Sequence, residues 1–292
     1  MTKQNTVLLI GGPDAGKSNF LFRFWLAIRA RLNSNLLPDG PPPSAEYLNQ
    51  GVGKLLIGEF EIHTPHGTNE ICEIPVLANG KKAIVVVPDR PGEDWSRIYR
   101  ERRIPNDWMA KLGDDTACLI LVRAHSDLNQ APLDWISVQQ FHGNEGNLIG
   151  PARQEVATPT QVVLVDWIQI ITRALRTRSL TAARPRIGII VSAWDLLSEE
   201  EQVAAPIEYL TEQYPLLADF LESNSKNLEI EFFGVSLFGG DPKRSVAFKD
   251  ACLHADNPCG GGFVVRQVDG EVQRVFDLTL PIGWALGLED AS

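Results

Sequence analysis

Short apolar runs and helix-like stretches alternate along this chain, and that order predicts an α/β fold. Five runs have the length of a buried strand and are bounded by polar or glycine-containing segments: 6–10, 82–87, 117–122, 186–191 and 230–234. Apolar residues recur at helical spacing between them, as in 19–28 and in the stretch from 158 through Leu175. Strands that alternate with helices favour a mostly parallel sheet covered by helices on both faces.

Two dipeptides predict β-hairpins, because Asn-Gly and Asp-Gly suit the tight turns that join antiparallel strands. Asn79-Gly80 joins the stretch 70–77 to the strand at 82–87, which brings the predicted sheet to six strands, with one antiparallel hairpin strand. Asp269-Gly270 predicts a second hairpin over 263–276, as a C-terminal extension of the core.

The most informative motif follows the first strand. Residues 11–18 read GGPDAGKS, the G-x-x-x-x-G-K-[ST] pattern of a phosphate-binding P-loop, or Walker A motif, between a strand and a helix. Gly11 and Gly16 permit a tight turn that brings backbone N–H groups against phosphate oxygens. Lys17 is expected to reach the β- and γ-phosphates, and the Ser18 hydroxyl to ligate Mg²⁺. The other loop residues expected to contact the nucleotide are Asp14, Ala15 and Asn19.

Two carboxylates lie at the ends of later strands. Asp89 opens a D-x-x-G motif with Gly92, where a carboxylate can hold Mg²⁺ through water and a glycine N–H can meet a γ-phosphate. Asp195 follows the run 186–191 in the sequence Ser192-Ala-Trp-Asp195. Ligands of open α/β sheets bind at the carboxyl edge of the strands, so both carboxylates are expected near the P-loop.

In this order the motifs resemble those of the Ras-like, or TRAFAC-class, GTPases over residues 5–240. The resemblance implies the P-loop NTPase fold, with GTP or GDP and Mg²⁺ as cofactors. It also implies that Asp195 pairs with the guanine base. Ser192 stands where the family has Asn or Thr, and Ala193 stands where it has lysine. Ser236 is the residue that matches the family's last base-binding loop.

The resemblance further implies a switch threonine and a residue that orients the attacking water. Thr64 is the first choice to ligate Mg²⁺ and sense the γ-phosphate, and Thr68 is the second. An ordinary loop threonine would look the same. Glu93 directly follows the D-x-x-G glycine, where it either orients water or begins a helix. Lys17, Thr64 and Glu93 are the predicted catalytic residues.

Length and charge agree with this interpretation. A chain of 292 residues suits one enlarged domain, with a core at 5–240, an insertion at 125–158 and a C-terminal extension at 241–292. The net charge of −10 argues against nonspecific nucleic-acid binding. No apolar run has the length of a membrane span, and the N-terminus enters a strand almost at once, so a cytoplasmic protein is expected.

The cysteines give no sign of a metal site or of catalysis. They lie without a paired C-x-x-C at Cys72, Cys118, Cys252 and Cys259. In a cytosolic protein they are expected to be reduced thiols. A zinc site at Cys252, His254 and Cys259 would lack a fourth ligand, so none is predicted.

A finer resemblance concerns the helix-like stretch 45–57 and the long insertion, which look like those of double-GTPase families from bacterial conflict, or antiphage, gene clusters. It implies a switch that acts on partner proteins. Two hypotheses stay open: a slow GTP hydrolase used as a switch, or a nucleotide-dependent scaffold that hydrolyses little and binds through 125–158 and the C-terminal hairpin. An ATP-using P-loop protein is a third, which the pair Asp89 and Asp195 disfavours.

Overall fold

The computed structural model describes residues 5–31, 35–59, 70–89, 98–111, 115–132, 158–178, 184–240 and 261–288. Its strands are β1 (Asn5–Gly11), β2 (Leu36–Pro38), β3 (Glu70–Ala78), β4 (Lys81–Asp89), β5 (Thr116–Arg123), β6 (Arg186–Ser192), β7 (Glu229–Ser236), β8 (Phe263–Val268) and β9 (Glu271–Val275). Its helices are α1 (Lys17–Arg29), α2 (Ala45–Leu56), α3 (Asn106–Lys111), α4 (Thr160–Arg178), α5 (Glu199–Gln202), α6 (Pro206–Gln213), α7 (Pro215–Asn224) and α8 (Leu280–Ala285), with a 3₁₀ helix at Trp194–Leu196.

The strands of the described ranges form one nine-stranded sheet in the order β2-β3-β4-β1-β5-β6-β7-β8-β9. The central strands β4, β1, β5, β6 and β7 pair in parallel. Antiparallel pairing adds β3 and β2 on one side and β8 and β9 on the other. An α/β fold with a parallel central sheet is therefore confirmed.

The prediction of six strands is wrong, for two physical reasons. β2 has three residues and ends in Pro38, so it is too short to leave a periodic pattern, and it pairs at the sheet edge. The C-terminal hairpin, predicted as an extension, continues the sheet because β8 pairs with β7 through Val264 opposite Val235. β7 is therefore an interior strand rather than the edge of the sheet.

Both predicted hairpin turns are confirmed. Asn79 and Gly80 have φ values of 47° and 74°, and Asp269 and Gly270 have φ values of 51° and 85°. Positive φ at both central residues is the geometry that Asn-Gly and Asp-Gly dipeptides adopt at low cost. The first turn fixes the register of β3 against β4, and therefore the position of the D-x-x-G aspartate at the end of β4.

Two apolar cores lie on the two faces of the sheet, because successive strand residues point in opposite directions. On β1, Val7 and Leu9 belong to one core, and Leu8 and Ile10 belong to the other. The first core includes α1, α2 and α8, and the second includes α3, α4, α6 and α7. The parallel strands read as unbroken apolar runs because both of their faces are covered.

Large aromatic side chains fix the helix that follows the P-loop. Phe20, Phe22 and Phe24 of α1 are all buried in the first core. The Phe22 ring meets Tyr47 of α2 edge to face at 5.2 Å between centroids. Gly51 of α2 lies directly against the same ring, where a Cβ atom would clash. The start of α1 is therefore anchored to a packed core.

Hydrogen bonds join a residue within the predicted insertion 125–158 to the start of the helix that follows it. The Gln130 N–H donates to Thr160 Oγ1 at 2.8 Å, and the Thr160 N–H donates to the Gln130 carbonyl at 2.9 Å. Thr160 is the first residue of α4, and residues 133–157 lie outside the described residues. We refer to this reciprocal pair of hydrogen bonds as the Gln130–Thr160 clasp.

Candidate nucleotide-binding site

The predicted site residues that the structure describes lie at one edge of the sheet, since the carboxyl ends of parallel strands lie side by side. The P-loop follows β1, Asp89 ends β4 and Ser192 ends β6. Ser236 ends β7, and Arg123, which the sequence analysis did not single out, ends β5. The register of β5 against β6 places Arg123 opposite Ser192. These strand ends and the P-loop together form the candidate site.

The P-loop backbone turns where glycine is required. Gly11 lies so close to β5 that a Cβ atom would stand 2.7 Å from the Leu121 carbonyl oxygen. Gly16 has a φ of 83°, in the left-handed region that glycine adopts without strain. A Cβ atom there would also lie 3.3 Å from Ser192 Oγ. Backbone geometry therefore accounts for both glycines of the motif.

Lys17 extends its ammonium group back to the loop that precedes it. The Nζ atom donates to the carbonyl oxygens of Gly11 and Gly12 at 2.8 and 2.9 Å, and the residue is only 9% exposed. Burial of an ammonium group is costly unless it is hydrogen bonded, and these two carbonyls provide the bonds. The loop therefore holds a positive charge within reach of an anion bound by its backbone.

The first turn of α1 adds to this positive character. Gly16 occupies the capping position, so no side chain caps the helix, and the Phe20 N–H bonds to the Gly16 carbonyl at 2.9 Å. The start of a helix carries partial positive charge, so the helix and Lys17 together fit an oxyanion such as phosphate. Asn19 is buried in this turn, and Ser18 is half-buried. The Ser18 hydroxyl is an oxygen ligand of the kind that Mg²⁺ accepts.

Asp14 places a carboxylate within the P-loop, and Arg123 lies against it. Arg123 Nη1 stands 2.8 Å from Asp14 Oδ1, and the two side chains are 38% and 27% exposed. Ser126 Oγ donates to Asp14 Oδ2 at 3.4 Å. Sequence reasoning missed Arg123, although a signal exists: a single charged residue directly follows the apolar run of β5, at the edge where ligands bind.

Ser192 joins the end of β6 to the P-loop. Its hydroxyl donates to the Ala15 carbonyl at 2.8 Å, and both residues are buried. A buried carbonyl without a hydrogen bond is unfavourable, so this contact stabilises the loop in its observed shape. The serine that departs from the Ras-like pattern therefore has a definite structural role.

Asp195 lies on the short 3₁₀ helix, which Trp194 anchors. The Trp194 ring is fully buried, its Nε1 donates to the Gln202 carbonyl at 3.1 Å, and the ring packs against Gly234 of β7. Ala193 has a left-handed φ of 56°, and Asp195 is half-buried. Because Ala193 replaces the lysine of the Ras-like pattern, this turn has no lysine stem to cover a base.

Tyr209 of α6 connects the loop after β5 to this turn. Its hydroxyl accepts a hydrogen bond from the His125 N–H at 3.0 Å, and its ring lies 6.1 Å from the Trp194 ring, edge to face. Burial raises the pKa of the Tyr209 hydroxyl. The hydroxyl therefore stays neutral near neutral pH and serves as a fixed hydrogen-bond partner.

Ser236 is fully buried, and its hydroxyl organises the loop that follows it. Ser236 Oγ accepts a hydrogen bond from the Gly239 N–H at 2.8 Å. Nearby, the buried Arg23 of α1 donates through Nε to the Leu237 carbonyl at 2.9 Å, and its guanidinium lies 4.4 Å from the centroid of the Phe238 ring. This loop is therefore held against α1, the helix that the P-loop begins.

Several predicted residues cannot be placed. Thr64, Thr68, Gly92 and Glu93 lie outside the described residues, and Asp89 is described only as the last backbone position of β4. Their roles as metal ligand, phosphate sensor or water-orienting group remain predictions. Of the predicted Mg²⁺ ligands, Ser18 alone has a described side chain.

Two of the four cysteines lie within the described residues. Cys72 and Cys118 are buried thiols that form no disulfide, and burial raises the pKa of Cys118. Cys252 and Cys259 lie outside the described residues. Within the described part of the chain, no group of three His, Cys, Asp or Glu side chains could hold a metal ion. No helix there is both long and apolar enough to cross a bilayer.

The family model described as Double-GTPase 1 matches residues 8–285, from within β1 to the end of α8. The chain belongs to the Double-GTPase 1 family. Membership implies that this Double-GTPase 1 protein binds guanine nucleotide, and the predicted double-GTPase resemblance is confirmed. The match spans the P-loop, Asp195 and the C-terminal hairpin alike. Comparison of the chain with curated proteins gives no match.

Proposed function

We propose that this protein is a Mg²⁺-dependent guanine-nucleotide switch that hydrolyses GTP slowly. The observation that carries the proposal is the position of Lys17, whose Nζ atom is held 2.8 and 2.9 Å from the P-loop carbonyls at the start of α1. A cation and a helix start within one glycine-containing loop favour a phosphate chain over other ligands.

Different residues of the chain contact the phosphates and the base. Lys17 contacts the β- and γ-phosphates, and the loop N–H groups of 14–19 surround them. Asp195 accepts hydrogen bonds from the guanine N1 and N2 hydrogens. Ser192 keeps these two parts of the site at a fixed separation through its bond to Ala15.

The residues proposed to hold Mg²⁺ are Ser18, Thr64 and Asp89. When bound, the ion supplies positive charge that neutralises the phosphate oxygens. Thr64 and Gly92 respond to the presence of the γ-phosphate, and Glu93 orients water for attack on it. Hydrolysis is slow because an isolated switch of this type neutralises transition-state charge poorly without a partner's arginine.

The proposed biological role is regulation of partner proteins in a bacterial conflict, or defence, system. A second candidate is a nucleotide-dependent scaffold with little or no hydrolysis. Two observations favour the scaffold. Glu93 stands where glutamine is usual in Ras-like enzymes, and Ala193 stands where those proteins have a lysine whose side chain packs against the base. Single-turnover hydrolysis separates the two, because Glu93→Ala should slow a hydrolase strongly while nucleotide affinity changes little.

The proposal is tested by calorimetric titration of the purified protein with GTP and with ATP in the presence of Mg²⁺. The wild type is expected to bind GTP in preference to ATP, and Lys17→Ala is expected to lose most of that affinity while it keeps its fold. Lys226→Ala, a change in an exposed turn between α7 and β7, is the matched control. Preference for ATP would reject the guanine assignment. Undiminished GTP affinity in Lys17→Ala would reject the site.

A further inference from the structure

The P-loop carries an acidic side chain at a place where the proposed ligand is strongly anionic. Asp14 lies three residues before Lys17, between Pro13 and Ala15, and its carboxylate is 27% exposed. A carboxylate this close to a phosphate chain repels it, and the repulsion is stronger in a partly buried site than in water. Something in the chain has to offset that charge if the loop is to bind phosphate well.

Arg123 is the group that offsets it. Its Nη1 atom lies 2.8 Å from Asp14 Oδ1, although 109 residues separate the two positions in the sequence. The backbone of Arg123 is fixed by its pairing with Ser192, and the next residue, Ala124, donates to the Ser192 carbonyl at 3.0 Å. The guanidinium therefore extends from a rigid strand end, in an orientation already suited to the carboxylate.

We propose that Arg123 is a positioning residue for nucleotide binding: it neutralises Asp14 and so keeps the P-loop receptive to phosphate. The proposal rests on the proposed function and adds to it a residue outside every predicted motif. The pair cancels one negative charge inside the loop, so the Asp14 carboxylate no longer opposes the attraction of Lys17 and the start of α1 for the phosphates.

A purely structural role predicts a different outcome. Both side chains of the pair are partly exposed, and ion pairs of that kind contribute little to folding stability. If the pair acts on the ligand, its loss appears in nucleotide affinity and hardly in thermal stability. The effect also weakens as ionic strength rises, because salt screens partly exposed charges.

The charge of Asp14 can be removed without disturbing the backbone. Asp14 has a φ of 61°, in the left-handed region, and asparagine adopts this conformation as readily as aspartate does. Asp14→Asn therefore tests the effect of the carboxylate charge without a change in backbone conformation. If Arg123 acts by neutralising that charge, Arg123 is no longer needed for nucleotide binding in this variant.

The experiment titrates GDP with Mg²⁺ into the wild type, Arg123→Ala, Asp14→Asn and the double variant. Arg123→Ala is expected to raise the dissociation constant about ten- to a hundredfold, because it leaves the Asp14 charge uncompensated. Asp14→Asn is the reference for the double variant, which should bind GDP within about threefold of Asp14→Asn because the charge that Arg123 offsets is already gone. Thermal unfolding should change little in all four proteins.

Arg102→Ala is the matched control, because Arg102 pairs with Asp166 at 3.0 Å on the exposed surface at α4. It should leave the dissociation constant unchanged. Wild-type affinity in Arg123→Ala would overturn the inference, and so would a double variant as weak as Arg123→Ala. Lys17→Ala distinguishes failure of the proposed function from failure of this inference alone. If Lys17→Ala keeps the wild-type affinity for GDP, or if the wild type binds no GDP, both the proposed function and this inference are rejected. If Lys17→Ala loses affinity for GDP but Arg123→Ala does not, only the proposed role of Arg123 is rejected.

Discussion

A single hydroxyl group connects the two halves of the candidate site. Ser192 ends β6, and its hydrogen bond to the Ala15 carbonyl at 2.8 Å reaches across to the P-loop. The serine side chain can lie this close to the loop because Gly16 has no side chain. A Cβ on Gly16 would lie 3.3 Å from Ser192 Oγ. The close approach of these two motifs therefore depends on both residues.

Loss of this bond should affect nucleotide binding more than folding. Ser192→Ala removes one buried hydrogen bond, which is expected to cost about 1 kcal/mol of stability and to raise the GTP dissociation constant severalfold as the P-loop relaxes. Ser198→Ala is the control, because it removes the cap of α5 at a similar cost of about 1 kcal/mol, away from the loop. Calorimetry and urea unfolding measure the two quantities. Equal affinity in both variants would contradict this role for Ser192.

The base preference can be tested by exchanging hydrogen-bond acceptors for donors. Asp195→Asn should weaken GTP binding by about 1–3 kcal/mol, the value of hydrogen bonds to a charged group, and should improve xanthosine triphosphate relative to GTP. Asp219→Asn, on the exposed side of α7, should change neither affinity. The measurement is a competition titration with both nucleotides. An equal loss for both nucleotides would argue that Asp195 does not contact the base.

At the residue scale, the sequence predicted the parts of the site that a local motif encodes. The P-loop and Ser192 both lie at the carboxyl edge of the sheet because spacing along the chain and the parallel sheet determine their positions; their contacts with nucleotide stay predictions. Arg123 was missed because its partner, Asp14, is 109 residues away, and no local pattern pairs them. The role of Ser192 was missed because a hydroxyl bonded to a backbone carbonyl leaves no trace in sequence.

At the scale of elements, the 3₁₀ helix that carries Asp195 packs against β7 through one ring. A Cβ atom on Gly234 would stand 2.6 Å from Trp194 Cε3, so glycine is required on this face of the strand. The turn is therefore positioned by β7, a strand that lies much later in the chain, between Glu229 and Ser236. The distance between the turn that carries Asp195 and the sheet depends on this contact.

Adding a methyl group at this contact should destabilise the protein and displace the turn. Gly234→Ala overpacks the interface with Trp194 and is expected to cost about 1–3 kcal/mol of unfolding free energy. Gly53→Ala in α2 is the matched change, because a Cβ there meets nothing within 4 Å. It should stabilise the helix by up to about 1 kcal/mol. Urea unfolding measures the unfolding free energy of both variants. A Gly234→Ala variant as stable as the wild type would show that the Trp194 ring moves aside freely.

The elements that the sequence predicted well are those with long, regular patterns. The central strands are unbroken apolar runs because both faces of the sheet are covered, and α4 keeps helical spacing over five turns. β2 escaped prediction because three residues contain no period. The pairing of β8 with β7 was not predicted, although both strands were. Which strands pair depends on tertiary packing, and the residue pattern within a strand carries no information about its neighbour.

At the scale of the whole molecule, Cys118 provides a reporter of global opening. It lies in the middle of β5 with no exposed surface, and burial raises its pKa. Alkylation needs the thiolate and access to reagent, so the native protein should resist iodoacetamide at about pH 8 until the sheet opens. GTP at a hundred times its dissociation constant should slow labelling about a hundredfold, because only the closed form binds it.

Mass spectrometry of the peptide that contains Cys118 measures this rate separately from the other cysteines. Lys17→Ala should label at the same rate with and without GTP, since it lacks the proposed phosphate contact. Rapid labelling of the native wild type would show that β5 opens locally, without unfolding of the sheet. In that case the reaction would report strand dynamics instead of ligand binding.

The Gln130–Thr160 clasp bears on how far the length of the segment between these two residues can vary. Two hydrogen bonds of 2.8 and 2.9 Å join the loop after β5 to the start of α4, so they hold together the two ends of the segment between them. Closing a longer loop costs little additional entropy, about 0.6 kcal/mol for each doubling in length. We therefore expect that changes in the length of this segment would cost the core little stability.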